Sequence, residues 1–146
     1  MKRRALALLF AGLLGAGAAH AAQADHVRAN HAWIRLLPGA LPASGYVELA
    51  NDGDQPARLT GAASTDYAST MLHRSAMHDG MSEMAMADHL DIPAHGRAAL
   101  APGGYHLMLE RAARTLKPGD TVPVTLRFAD GSTLAVGFQV RPANAD

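Results

Sequence analysis

From His26 onward, apolar and polar positions alternate in short runs, and clusters of Gly, Pro, Asn and Asp interrupt them. Period-two alternation places successive side chains on opposite faces of an extended chain, so each run reads as a strand with one face toward a core. Val27 to Leu36, Gly45 to Ala50, Ala57 to Ala62, Tyr105 to Glu110, Val122 to Phe128 and Thr133 to Val140 are predicted strands, and Ala98 to Leu100 leads into the turn before Tyr105. Thr70 to Met77 and Met81 to Met86 flank Asp79-Gly80, a dipeptide suited to a two-residue hairpin turn. Further turns are expected at Pro38-Gly39, Asn51 to Asp54, Pro102 to Gly104, Pro118 to Asp120 and Asp130-Gly131. Asp66 to Ser69 and Arg111 to Leu116 are the candidates for a helical turn. Seven or eight short strands without a helical period or a repeat predict an all-β, single-domain antiparallel sandwich or barrel of Greek-key type.

The first residues break this pattern. Lys2, Arg3 and Arg4 precede a small apolar run from Ala5 to Ala19, and Ala19-His20-Ala21 and Ala22-Gln23-Ala24 are both A-x-A cleavage signatures. The expectation is a signal peptide at 1–21, with cleavage as late as residue 24, and an exported, periplasmic domain at 22–146. The apolar run is shorter than the ~20 residues a membrane-spanning helix needs. Export also changes the charge. The chain carries 13 basic and 13 acidic residues, and removing Lys2, Arg3 and Arg4 leaves 10 against 13, a net −3. No basic patch then remains to attract nucleic acid or an anionic membrane surface.

The chain contains no cysteine, which excludes zinc-thiolate sites and the His₂Cys blue-copper site. Soft-metal chemistry would have to come from methionine. Of the methionines beyond Met1, five (Met71, Met77, Met81, Met84 and Met86) fall in one stretch interleaved with His73 and His78, and Met108 follows His106 by two residues. Thioether sulfur suits Cu(I), imidazole is a good partner for it, and hard cations would want more carboxylates than Asp79 and Glu83 supply. A two-residue turn at Asp79-Gly80 pairs residues whose numbers sum to 159, so His73 faces Met86 and Ser75 faces Met84. Met71, His73, Met77, Met84 and Met86 then share one face, while His78 and Met81 project from the other. Spacing does not choose between Met84 and Met86 as the partner of His73. His106 and Met108, two apart on a strand, also share a face, and docking that strand on the hairpin would complete an N₂S₂ cage.

The order H-x10-M-x21-H-x-M, formed by His73, Met84, His106 and Met108, resembles the signature of the periplasmic PCuAC copper chaperone family. The likeness extends to Ala101-Pro-Gly-Gly-Tyr-His-Leu-Met108, to Leu116-Lys-Pro-Gly-Asp-Thr-Val-Pro-Val124 and to Asp130-Gly-Ser-Thr133. The resemblance implies a cupredoxin-like β-barrel that holds Cu(I) through His73, Met84, His106 and Met108, choosing Met84 over Met86. It also implies copper delivery to the CuA domain of cytochrome c oxidase, alongside Sco-type thiol proteins. The chain departs from the family pattern at Met81-Ser82-Glu83, at Arg111 to Arg114, and in lacking a His- and Met-rich C-terminal tail.

Met77, Met81, Met86 and His78 are auxiliary candidates; the three methionines are expected to form a soft outer rim, and His78, His89 and His95 could add a weak Cu(II) site. Two other readings compete with a chaperone. One is copper storage or resistance. The other is a copper-dependent oxidative enzyme, in which cleavage after Ala19 would expose His20 as an N-terminal ligand. No serine–histidine–acid, phosphate-loop or paired-carboxylate motif suggests catalysis, and the protein is expected not to be an enzyme.

Overall fold

A computed structural model describes residues 21–146. The signal peptide expected at 1–21 and the alternative N-terminal ligand His20 lie outside the described residues, apart from Ala21. A 3-10 turn, Gln23–His26, leads into ten strands: β1 (Val27–Arg35), β2 (Ala43–Asn51), β3 (Ala57–Ser64), β4 (Tyr67–His78), β5 (Met81–Met86), β6 (Leu90–Ile92), β7 (Arg97–Leu100), β8 (Tyr105–Ala112), β9 (Thr121–Phe128) and β10 (Thr133–Arg141). Hydrogen bonding connects them in the order β5-β4-β8-β2-β1-β10-β9-β3-β6, with β7 beside β2. The result is the expected cupredoxin-like β-sandwich in a single domain. Among the described residues no helix is long and apolar enough to cross a membrane.

Three details differ from the sequence expectations. Asp66 to Ser69 forms no helical turn, because Tyr67, a buried aromatic, begins β4. Arg111 and Ala112 likewise continue β8, with Arg111 in the left-handed region at φ 54°. The third difference is the pairing of β1 with β10, which is parallel, whereas the other strand pairs are antiparallel.

Alternation along the strands builds the core. Val122, Val124, Leu126 and Phe128 of β9 point inward with exposed residues between them, and they meet Ile34, Leu49, Leu59, Leu72, Leu107, Leu109 and Phe138. Trp33 and Tyr46 pack with ring centroids 4.7 Å apart and planes tilted by 44°, and Arg35 and Arg141 lie over the indole, so both aromatics serve packing. Leu72 of β4 and Leu107 of β8 face each other on the core side. The opposite faces of the same two strands are therefore free to carry other chemistry.

Candidate metal centre

The hairpin forms in the expected register. Asp79 (φ 48°) and Gly80 (φ 78°) both adopt the left-handed conformation that a type I′ turn requires, and His73 pairs with Met86, Ser75 with Met84, and His78 with Met81. The amide of Ala87 donates to the Leu72 carbonyl at 2.9 Å, so Leu72 and Ala87 are a hydrogen-bonded pair. His73 and Met86, one step along, are then a non-hydrogen-bonded pair, whose Cα atoms approach to ~4.5 Å.

Strand β8 docks on the other edge of β4, placing His73 directly opposite His106 and Met71 directly opposite Met108. The two imidazole rings lie 5.7 Å apart, tilted by 58°. Both are buried, His73 at 9% and His106 at 4% exposure. Among the described residues, these are the histidines with buried ring nitrogens that lack a hydrogen-bond partner. Both ring nitrogens of His73 and the Nε2 of His106 are buried without a partner. Buried polar atoms without partners are rare in native proteins, and an ion is one thing that accounts for them.

His106 is held in one tautomer. Its Nδ1 lies 3.3 Å from the Gly104 carbonyl, which can only accept, so Nδ1 carries the hydrogen and the lone pair is on Nε2. Burial pushes the His106 pKa below the usual imidazole value, and His73 nearby adds to this, against the raising effect of the Gly104 bond. A neutral ring with a free lone pair is the form that binds metal. Sequence reading did not assign a role to Gly104, although the Pro102-Gly103-Gly104 turn just before the strand was its available signal.

Methionines are register neighbours of the histidine pair. Among the described residues no group of three or more His, Asp or Glu side chains could hold a metal, and Met71 and Met108 are the pair next to His73 and His106 on the same face. Met71 and Met108 are half-buried, whereas Met84 and Met86 on β5 are 61% and 71% exposed. Met77 and Met81 lie exposed near the hairpin tip. In register terms Met86 is beside His73, and Met84 is one diagonal step away, opposite Ser75. The other histidines stand apart from this pair. His95 Nε2 lies 2.6 Å from Asp54 and His89 Nε2 lies 3.7 Å from Asp91, while His78 is exposed on the hairpin.

Known proteins share this architecture. The LpqE-like family matches residues 27–140. Lxx21020 of Leifsonia xyli subsp. xyli, a lipoprotein by name, is 36% identical over 120 residues, covering 82% of this chain and 72% of that protein. The copper-bound PCuAC domain from PmoF2 aligns with a TM-score of 0.67 at 26% identity, covering 84% of this chain and 98% of that domain. Cu(I)-bound DR1885 from Deinococcus radiodurans aligns with a TM-score of 0.62 at 38% identity, covering 79% of this chain and 77% of that one. The likeness spans β1 to β10, and the chain belongs to the LpqE-like family, with the fold of PCuAC domains.

Proposed function

We propose that this protein is an exported copper metallochaperone that carries one Cu(I) ion between His73, His106, Met84 and Met108. The observation that carries the reading is the trio of buried, unpartnered imidazole nitrogens on two facing histidines, with thioethers as the available neighbouring donors. Two neutral imidazoles and two neutral thioethers suit a soft monovalent cation and offer little to Mg²⁺ or Ca²⁺. Copper in the PmoF2 domain and Cu(I) in DR1885 support the same cargo here. The resemblance to the family's H-x10-M-x21-H-x-M motif is what favours Met84 over Met86, although Met86 lies nearer His73 in register.

Delivery, rather than storage, is supported by how the donors are exposed. The histidines anchor the ion from a rigid, buried strand pair, while the β5 methionines stand in solvent at the edge of the sheet. An acceptor can replace an exposed thioether stepwise, which a closed cage would hinder. The acceptor proposed is the CuA domain of cytochrome c oxidase, with Sco-type thiol proteins acting alongside, and this rests on the family resemblance. Periplasmic export is supported by the A-x-A signatures and by the lipoprotein name of the Leifsonia relative.

Anaerobic incubation of the Cu(I)-loaded protein with an apo CuA domain, followed by separation and metal analysis, tests the proposal. Copper should appear on the CuA domain. Copper that stays with the donor, even when a Sco-type protein is added, would favour storage.

A further inference from the structure

Met71 belongs to no motif position, yet it occupies a different place from the hairpin methionines. The Ser75 amide donates to the Gly104 carbonyl at 3.0 Å, continuing the register that pairs His73 with His106. Residues 75 and 104 are thus a hydrogen-bonded pair. Such pairs recur at every second position, so His73–His106 and Met71–Met108 are hydrogen-bonded pairs too, with Cα atoms ~5.5 Å apart. Alternation puts all four on one face, where they mark a square that is ~5.5 Å across the strands and ~6.8 Å along them. An ion over its centre is within side-chain reach of two imidazoles and two thioethers without any contribution from β5.

Met84 lies outside this square. It faces Ser75 from the far side of β4, so the whole width of that strand separates it from His106. Its side chain is 61% exposed, whereas Met71 and Met108 are both half-buried. The geometry points to Met71 as a further Cu(I) ligand, one that closes an inner set of His73, His106, Met108 and Met71 when Met84 leaves the ion. This rests on the copper reading above and adds a step to it. The Met84 Sδ–copper bond breaks, a Met71 Sδ lone pair takes the vacated position, and no charge or electron moves because both donors are neutral. The ion then stays on the rigid strand pair while the exposed edge strand is free to meet an acceptor. A structural role for Met71, as apolar cover beside Met108, would leave it indifferent to copper.

Methionine methyl groups labelled with ¹³C report this directly. The exported wild-type protein and its Met84→Leu, Met71→Leu and double variants are titrated anaerobically with Cu(I), with Met77→Leu as control. The Met71 methyl resonance should shift with copper, most strongly in Met84→Leu. Met84→Leu should lose about tenfold in affinity, and the double variant on the order of a further hundredfold. Leu replaces Met at similar volume, and unchanged apo spectra verify that each variant folds. A Met71 methyl unmoved by copper in both wild type and Met84→Leu would overturn the proposal, as would a double variant that binds as tightly as Met84→Leu. A wild type that takes up no Cu(I) at all would instead overturn the copper reading and this inference with it.

Discussion

At the scale of single residues, the site is a pair of buried histidines that face each other across two strands. The Gly104 carbonyl fixes the His106 tautomer, and burial holds its pKa below the ordinary imidazole range. In the unfolded chain an imidazole titrates near ~6.5. Between that value and the lower folded one, the unfolded state binds more protons, so the copper-free fold loses stability as pH falls. The urea midpoint of the apo protein should therefore drop between pH 7.5 and 5.5, and His106→Asn should show a smaller drop. Equal drops in both proteins would contradict the assignment. In the proposed site protons would compete with copper for the His106 nitrogen, so Cu(I) affinity should weaken over the same range. The common face of His106 and Met108 was legible from their i, i+2 spacing. That His106 faces His73 was not, because strand spacing says nothing about which distant strands meet. The same blindness hid the opposition of Met71 and Met108.

At the scale of elements, the hairpin is the part most completely written in local sequence. Asp79-Gly80 accepts two left-handed residues in a row, and this single choice sets every pairing from His78–Met81 to His73–Met86. Less could be read where the chain has weaker signals. Three-residue β6 (Leu90–Ile92) is too short to show a period, and Tyr67 belongs to β4 because β8 is there to pair with it. The exposed methionines of the hairpin should ease transfer. Replacing Met77, Met81 and Met86 with Leu should slow copper transfer in a stopped-flow assay and leave affinity nearly intact; a large affinity loss would refute this. At the N-terminal turn, the Gln23 amide donates to Asp130 at 2.8 Å and the Ala24 amide to Ser132 at 3.0 Å. The Asp130 carboxyl is held below the usual carboxylate range, first by the Gln23 N–H and then by the Ser132 hydroxyl. Ala24 is itself buried against the core. Cleavage after Ala21 preserves these contacts and cleavage after Ala24 removes them, so mass spectrometry of the exported protein should find Ala22 first.

For the whole molecule, one core supports the sheet that bears the site. A Cβ at Gly45 of β2 would lie 3.2 Å from Leu107 Cβ and 3.2 Å from Leu109 Cδ1, both on β8. Gly45→Val should therefore push β8 outward, costing on the order of 1–3 kcal/mol and weakening Cu(I) binding through His106 and Met108. Unaltered stability and affinity would show that β8 is not seated as described. Alternation along β9 made the sandwich legible from sequence, since polar and apolar positions take turns from Thr121 to Phe128. The parallel pairing of β1 with β10 was not legible, because it joins the two ends of the domain and no turn signal spans them. These features support the central proposal, that buried His73 and His106 hold a single Cu(I) ion together with neighbouring thioethers. Anaerobic Cu(I) titration against a competing chromophoric ligand measures it most directly, in wild type, His73→Ala, His106→Ala, Met84→Leu, Met108→Leu and the control Met86→Leu. One equivalent should bind to wild type, both histidine variants should lose nearly all affinity, the Met84 and Met108 variants should weaken it, and Met86→Leu should match wild type. Full-strength binding by His73→Ala and His106→Ala would contradict the account.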